Sequence, residues 1–446
     1  MPEQREQWSS RIGFILATVG SAVGLGNVWR FPTMVARSGG GAFLLLYLVV
    51  VVAVGVPIMM SELAMGRRSQ RGLTGAFRNL GPGGKWWPAG LLPALAAFLI
   101  LSYYSVIAGW TLIYTVYGIS GNLGGLDAID LLGAFTWMTE STFLPILGQA
   151  VFLLMSSAVV YYGVAAGIER WSKILMPTIT FLLLLLLVRV LSIEGAIDGV
   201  LWFLRPDFGL ITFNTALEAV GQVFFSFSLG MGAVLTYGSY LSPDDDITRN
   251  SFIISIADVG IAVLAGLVVI SALFAFNIEP EIGFGLVFVA LPAIFNTFPL
   301  AQFWVAIFFL ALSFAALTSM ISFLEVVNAI LMEELNWTRP KSVVVLGILI
   351  FIAGVPSALS TGTMRELTLF GRDIMDAVDA LSSNLLLPLS GLITAIFVGW
   401  IWGARSAADE IRVGAGDFRL APLWSFIVRY VVPVALLYIL IAGLLP

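Results

Sequence analysis

Apolar runs close to twenty residues long recur from one end of this chain to the other, separated by short polar stretches. Runs of that length, with few charges inside them, are what a helix needs to cross the hydrocarbon core of a bilayer. The pattern predicts eleven helices, over roughly 11–36, 41–67, 90–120, 144–163, 168–191, 214–241, 251–277, 301–335, 342–356, 374–402 and 422–444. A further apolar stretch, "GFGLVFVALPAIFNTFP" over 283–299, is short and proline-flanked. It reads as a re-entrant or capping helix on the outer face rather than a twelfth span.

Two of these helices break the pattern. The first carries "GSAVGLGNVWRFP", Gly20 to Pro32, in mid-span. Each interior glycine costs about 1 kcal/mol relative to alanine, and an unpaired arginine at mid-bilayer costs roughly 3 kcal/mol. Helix packing through the Gly20–Gly24 pair accounts for the glycines, but not for Asn27 or Arg30. A nucleotide loop is excluded, because no strand precedes the glycines. The sixth helix repeats the anomaly with "GQVFFSFSLGMG", Gly221 to Gly232. Matching breaks in the leading helix of each five-helix half are the pattern of a transporter built from inverted repeats. Unwinding there exposes backbone carbonyls and amides at the midplane, where helix C-termini attract cations and N-termini attract anions.

Composition sharpens the class. The 446 residues are 59% hydrophobic and 11% charged, too few charges to cover a soluble protein of this length. There is no cysteine and no histidine, which removes disulfides, thiolate chemistry and the usual zinc, haem and iron–sulfur ligands. Oxygen-only ion sites remain. Arg67, Arg68, Arg71, Arg78 and Lys85 share one loop, and basic residues flank alternate loops after it. The intervening loops hold Asp127, Asp130, Glu140, Glu194, Asp198, Glu279 and Glu281. The positive-inside rule then places the N-terminus in the cytoplasm and, with eleven spans, the C-terminus outside. The polar stretch Met1 to Ser10 before a long apolar run argues against a cleaved signal peptide.

The chain resembles a prokaryotic member of the neurotransmitter:sodium symporters, which share the leucine-transporter fold. The resemblance runs from Arg5 to about Tyr430 and rests on "SAVGLGNVWRFP", "GGGAFLLLY", "ELAMGRR", "GQVFFSFSLGMGAVLTYGSY" and "AALTSMISFLE". It implies an all-α polytopic membrane protein, a single transporter domain over 1–446. Helices 1–5 (11–191) and 6–10 (214–402) would form a 5+5 inverted repeat, with an extra eleventh helix at 422–444. It implies a sodium-coupled symporter of the plasma membrane, not an enzyme, a monomer or homodimer with no nucleic-acid partner.

Cation sites follow in two steps. "AALTSM" puts Ala315, Thr318 and Ser319 within a turn, so both hydroxyls lie near the carbonyl of residue 315. Either they serve only their own backbone, or they join a site. The resemblance completes a sodium site with the carbonyls of Gly20 and Val23. It implies a second at the carbonyl of Ala22, Asn27, Ser226 and Asp258, together with the substrate carboxylate. Many relatives have asparagine where Asp258 stands, and chloride-independent members often have an acid one turn later, where this chain has Ala262. The groups matching the chloride ligands, Tyr47, Gln222 and Ser226, are retained. Asp258 is either an ordinary acid near the start of the seventh helix or the negative charge that makes chloride unnecessary.

The resemblance also bears on cargo. Relatives carrying decarboxylated amines have aspartate at Gly24; a glycine leaves room for a substrate that brings its own carboxylate. Amides near Leu25 and Gly26 and the Tyr104 hydroxyl would bind that carboxylate, and carbonyls near Phe225 and Ser228 the ammonium. Tyr104 alone would equally suit a packing aromatic. Ile100, Ile107, Phe225, Ser228, Met231, Ser322 and Phe323 would line a mostly apolar side-chain pocket. The implied cargo is a hydrophobic or aromatic L-amino acid.

For gates, the resemblance pairs Arg30 with Asp379, chosen over Asp376 by counting back from "GWIWGA"; as separate residues both would snorkel to headgroups. On the inner side Arg5 and Trp8 would meet Glu333, with Tyr240 and Glu325 nearby. Gly167 and Pro177 weaken the fifth helix, so that it could unwind and admit water to Thr318 and Ser319. Glu62 is either a buried proton-sensitive acid or a partner of Arg67. The competing readings are a non-transporting amino-acid sensor, an intramembrane enzyme and a proton-coupled transporter. Intact gates argue against the sensor. The lack of His, Cys and paired core acids argues against the enzyme, and the hydroxyls at 318 and 319 against the proton-coupled reading.

Overall fold

A computed structural model describes residues 5–278 and 283–444 of the chain. Glu279 and Glu281, counted above among the loop acids, lie outside the described residues. The chain is helical almost throughout, and its only paired strands among the described residues are a two-residue hairpin, Thr368–Leu369 with Arg372–Asp373.

In chain order the elements that position the site are α1 (Arg11–Ala22), α2 (Leu25–Arg37), α3 (Gly41–Ser69), α4 (Trp87–Ser120), α5 (Leu144–Tyr161), α6 (Val164–Leu191), α7 (Phe213–Ser226), α8 (Ala233–Gly238), α9 (Ile247–Ala275), α10 (Leu286–Asn296), α11 (Ala301–Leu335), α12 (Arg339–Leu359), α13 (Ile374–Ile401) and α14 (Ala421–Ala442). Nine of them are individually long and apolar enough to cross a membrane among the described residues, and α1 with α2 makes a tenth if the bent pair is one span. The expected eleven is reached only by also counting α7 and α8 as one broken span. The apolar stretch over 283–299 folds as the short helix α10, too short to span.

Several helices were not foreseen. Ala128–Glu140 and Ala196–Leu204 fill what the pattern reads as loops, and Leu73–Leu80 and Ala404–Ala415 do the same. They are short, with Asp127 capping the first of them through the amides of Ile129 and Asp130 at 2.9 Å. Their apolar content is too small to register against spans of twenty residues.

Burial sorts the long helices into layers. The apolar window of α11 is 89% buried and that of α14 only 17%. α11 is therefore the central post, packed against α4, α6 and α1, while α14 lies on the rim against α13. With α11 so enclosed, any polar atom on it must find a partner inside the protein.

Both expected breaks are present. α1 stops at Ala22, and α2 leaves at 65° to it. Val23 and Gly24 at the corner are extended, with φ of −74° and −138°. Neither angle demands glycine. Space does: a Cβ on Gly24 would stand 2.9 Å from Ser319 Oγ and 3.2 Å from Tyr104 OH. The second break, between α7 and α8, is made by left-handed residues, Ser228 (φ 52°), Gly230 (φ 73°) and Gly232 (φ 80°). Glycine adopts that region without a steric cost, which is why the sequence spends two glycines there.

Candidate functional site

The two breaks face each other. Ser228 Oγ donates to the Ser21 carbonyl at 2.9 Å, tying the turn after α7 to the end of α1. Glu62 on α3 is 1% exposed and accepts from the amide of Gly230 at 2.7 Å. It braces the second break and does not reach Arg67, which pairs instead with Glu410 at 2.7 Å.

Around the first break the oxygens cluster in two groups. In one, Thr318 Oγ1 donates to the Ala315 carbonyl at 2.9 Å. Ser319 Oγ lies 3.2 Å from both the Val23 and the Ala315 carbonyls. Gly20 packs so tightly here that a Cβ would stand 3.1 Å from Thr318 Cβ. Neutral oxygens gathered this closely, with the Val23 carbonyl at the negative end of α1, suit a small hard cation.

The second group contains the buried acid. Ser226 Oγ donates to Asp258 Oδ2 at 2.7 Å, and Asn27 Nδ2 donates to Asp258 Oδ1 at 3.1 Å and to Ser226 Oγ at 3.3 Å. Asn27 Oδ1 in turn accepts from the Gly24 amide at 3.2 Å, linking the acid to the break. Asp258 is wholly buried. It is not an acid at a helix start, because α9 begins at Ile247, four residues earlier than the pattern suggests, and Asp258 falls in its interior. Tyr47 OH and both amide atoms of Gln222 are buried without a partner.

Between the groups and α4 lies a small cavity. Ala22, Gly24, Leu25, Gly26, Ile100, Tyr104, Phe225, Ser228, Met231 and Phe323 line it. Tyr104 OH accepts from the Leu25 amide at 3.4 Å. Ile107 and Ser322 are buried but do not line it. The Ser322 hydroxyl is consumed by the Ser319 carbonyl at 2.7 Å and by Ser21 Oγ at 2.8 Å. Tyr103 and Ser21 do line the cavity and were missed. For Tyr103 the signal was an adjacent pair of tyrosines inside an apolar span.

Beyond Phe225 lies a second, larger cavity, reaching Arg30 and α13. Here the expected pairing is corrected. Arg30 makes no ion pair with Asp379; its guanidinium lies over the Phe225 ring, 4.8 Å from the centroid. Asp379 is already served by the Tyr103 hydroxyl at 2.6 Å and the Ser383 hydroxyl at 2.8 Å.

At the opposite end Arg5 pairs with Glu333 and donates to Ser239 Oγ at 2.7 Å. Trp8 does not meet Glu333: its indole donates to the Tyr237 carbonyl at 3.0 Å and packs edge-on to Tyr240. Tyr240 donates to Glu325 at 2.5 Å. Arg339, at the start of α12, grips Glu325 at 2.6 and 2.9 Å and Glu6 at 3.0 Å. The fifth predicted span is not unwound. It is continuous from Val164 to Leu191 with Pro177 inside it, and the irregularity near Gly167 is a π-helical stretch, Val164–Glu169. Glu169 accepts from Ser9 N, Ser9 Oγ and Ser10 Oγ, each at 2.7 Å, and pairs with Lys173 at 2.6 Å.

A symporter-family profile, "Sodium:neurotransmitter symporter family", matches residues 5–142 and 145–445. The chain belongs to that family. As a member it is a secondary transporter embedded in a membrane, dependent on sodium, and not an enzyme. It is 36% identical to YhdH, a sodium-dependent transporter of Bacillus subtilis, over 98% of both chains. It is 34% identical to a sodium-dependent transporter of Haemophilus influenzae over 99% of both. Among solved structures it matches MhsT in complex with L-phenylalanine, at 41% identity and a TM-score of 0.89, over 98% of this chain and all of that one. This symporter therefore has the leucine-transporter fold, with both leading helices interrupted.

Proposed function

We propose that this symporter couples sodium entry to the uptake of an α-amino acid with an apolar or aromatic side chain, by alternating access. The observation that carries the reading is Gly24. A substrate carboxylate seated against the Leu25 and Gly26 amides and Tyr104 OH uses the space that a side chain at 24 would fill. The phenylalanine complex of the 41% identical relative supports the same class of cargo. Ile100, Phe225, Met231 and Phe323 supply an apolar wall, and the flexible Met231 lets it accept more than one size.

Two sodium ions are assigned. One takes Gly20, Val23, Ala315, Thr318 and Ser319. The other takes Ala22, Asn27, Ser226, Asp258 and the substrate carboxylate, so that cargo and ion complete one another's sites. A ligand moves a conformational equilibrium only through its different affinity for the two states. Sodium bridging α1 to α11 favours one state, and substrate then permits closure. Asp258 supplies the negative charge that chloride would bring. In this reading the N-terminus is cytoplasmic, the C-terminus is extracellular, the membrane is the plasma membrane, and the repeats span 11–191 and 214–402. Arg5, Glu333, Tyr240, Glu325 and Arg339 close the inner side; Arg30 over Phe225, with Asp379 held by Tyr103, closes the outer.

The test is uptake of the twenty amino acids into proteoliposomes with and without an inward sodium gradient. Accumulation of leucine-, phenylalanine- or tryptophan-sized substrates only with the gradient is expected. Gradient-independent uptake, or none for any apolar amino acid, would exclude the proposal.

A further inference from the structure

The polar face of α9 does not stop at Asp258. Ser255, Ser251 and Thr248 precede it by three, seven and ten residues, a spacing that places all four on one stripe of a helix. The stripe is about 15 Å long at 1.5 Å per residue. The three hydroxyl oxygens are buried, and none has a hydrogen-bond partner in the protein. The other buried serine and threonine hydroxyls without a partner among the described residues, Thr236, Ser271, Ser357 and Ser390, fall one each on α8, α9, α12 and α13. Thr18, Ser61, Thr115 and Ser156 all satisfy their hydroxyls on the carbonyl four residues back, the usual recourse of such residues in a helix.

The stripe has a wet end and a dry end. Thr248 is only half-buried and lies in the first turn of α9. On the adjoining face Arg11 of α1 donates to Asn250 at 2.8 Å, while Arg11 Nη2 and Asn250 Nδ2 have no partner. Past Asp258 the same stripe continues as Ala262 and Ala265, so nothing polar leads onward. Buried polar groups without protein partners are ordinarily served by water. Hydroxyls about one turn, 5.4 Å, apart are bridged by one water making two hydrogen bonds of about 2.8 Å.

We propose that Thr248, Ser251 and Ser255 line a hydrated path from the N-terminal end of α9 to Asp258, by which water and a monovalent cation reach the buried carboxylate. The path is separate from the Gly167–Pro177 side of the molecule, which leads toward Thr318 and Ser319. The cation half of the proposal rests on reading Asp258 as part of a sodium site; the hydration half does not.

The chain has no cysteine, so a single introduced thiol is the only one. In vesicles holding the full chain, Ser251→Cys and Ser255→Cys should react with a small charged methanethiosulfonate applied from the Arg11 side. Ile253→Cys, on the opposite face of α9, and Ala265→Cys, past Asp258, should react at least about tenfold more slowly, as expected for sites without water. Equal rates at 251, 255 and 253 would overturn the path. Saturating sodium should slow labelling of Ser255→Cys; fast labelling indifferent to sodium would overturn the cation half alone. Should the thiol variants fail to fold, Ser255→Val and Ser156→Val, whose hydroxyl bonds the Phe152 carbonyl, serve instead. Ser255→Val should lower the uptake rate about tenfold with substrate binding retained, by removing the innermost link of the water chain, and Ser156→Val should not. Equal effects would again overturn the path. If the unaltered protein transports no amino acid, the functional reading falls while thiol labelling still decides the path.

Discussion

Gly24 is the residue on which the cargo assignment turns. Its backbone angles suit any amino acid, so alanine is tolerated by the main chain. Its Cβ would press on Ser319 Oγ at 2.9 Å. Gly24→Ala is therefore expected to leave thermal stability within about 1–2 kcal/mol of the parent. The same substitution should weaken amino-acid binding about tenfold or more, measured by radioligand titration, because the new methyl occupies the carboxylate's seat. Asp258 makes a second test. Uptake by the unaltered protein should be indifferent to replacing chloride with gluconate. Asp258→Asn should remain folded, since asparagine still accepts from Ser226, but should become dependent on chloride for sodium-driven uptake. Chloride dependence in the unaltered protein would refute the role given to the acid.

Among the elements, α3 and the fifth predicted span bear the next tests. Glu62 holds the Gly230 amide, so Glu62→Ala leaves a buried N–H without an acceptor, at a cost of about 1–3 kcal/mol. Glu62→Gln keeps a carbonyl oxygen for that amide and should lose less than half as much in melting temperature. Gly167→Ala should also destabilise, because a Cβ there would stand 2.0 Å from the Val159 carbonyl, and overpacking costs about 1–3 kcal/mol. These two cases show what was legible beforehand. The breaks at 20–27 and 226–232 could be read because glycine, serine and asparagine are conspicuous inside apolar helices. The surface helices Ala128–Glu140 and Ala196–Leu204 could not, since a short helix outside the apolar runs leaves no comparable period. The Arg30–Asp379 pairing failed for another reason. Sequence counts charges but not competitors, and Tyr103 and Ser383 had already engaged the carboxylate.

On the scale of the whole molecule, the end that holds Arg5 is bound by charges contributed from distant parts of the chain. Glu6, Glu325, Glu333, Arg5 and Arg339 bring the N-terminus to both ends of the α11–α12 turn. Glu325 is wholly buried and Arg339 nearly so. Removing one partner of a buried pair leaves an uncompensated charge, at about 3–5 kcal/mol. Arg339→Ala should therefore lower the melting temperature more than Arg5→Ala, whose partner Glu333 is less deeply enclosed. Only the double variant with Glu325→Gln should recover part of the loss, by scanning calorimetry in detergent.

The carboxylate of Glu169 gives the molecule one more property. It caps the strand of chain leading into α1 through Ser9 and Ser10, and it sits two residues past Gly167, where helical bonding is already irregular. The N-terminal arm and the root of α6 are thus moored to a single post. Neither can swing away while the other stays. Cutting the arm off before Ser10 would loosen two helices at once, and hydrogen exchange should quicken over 164–173 as well as over 11–16.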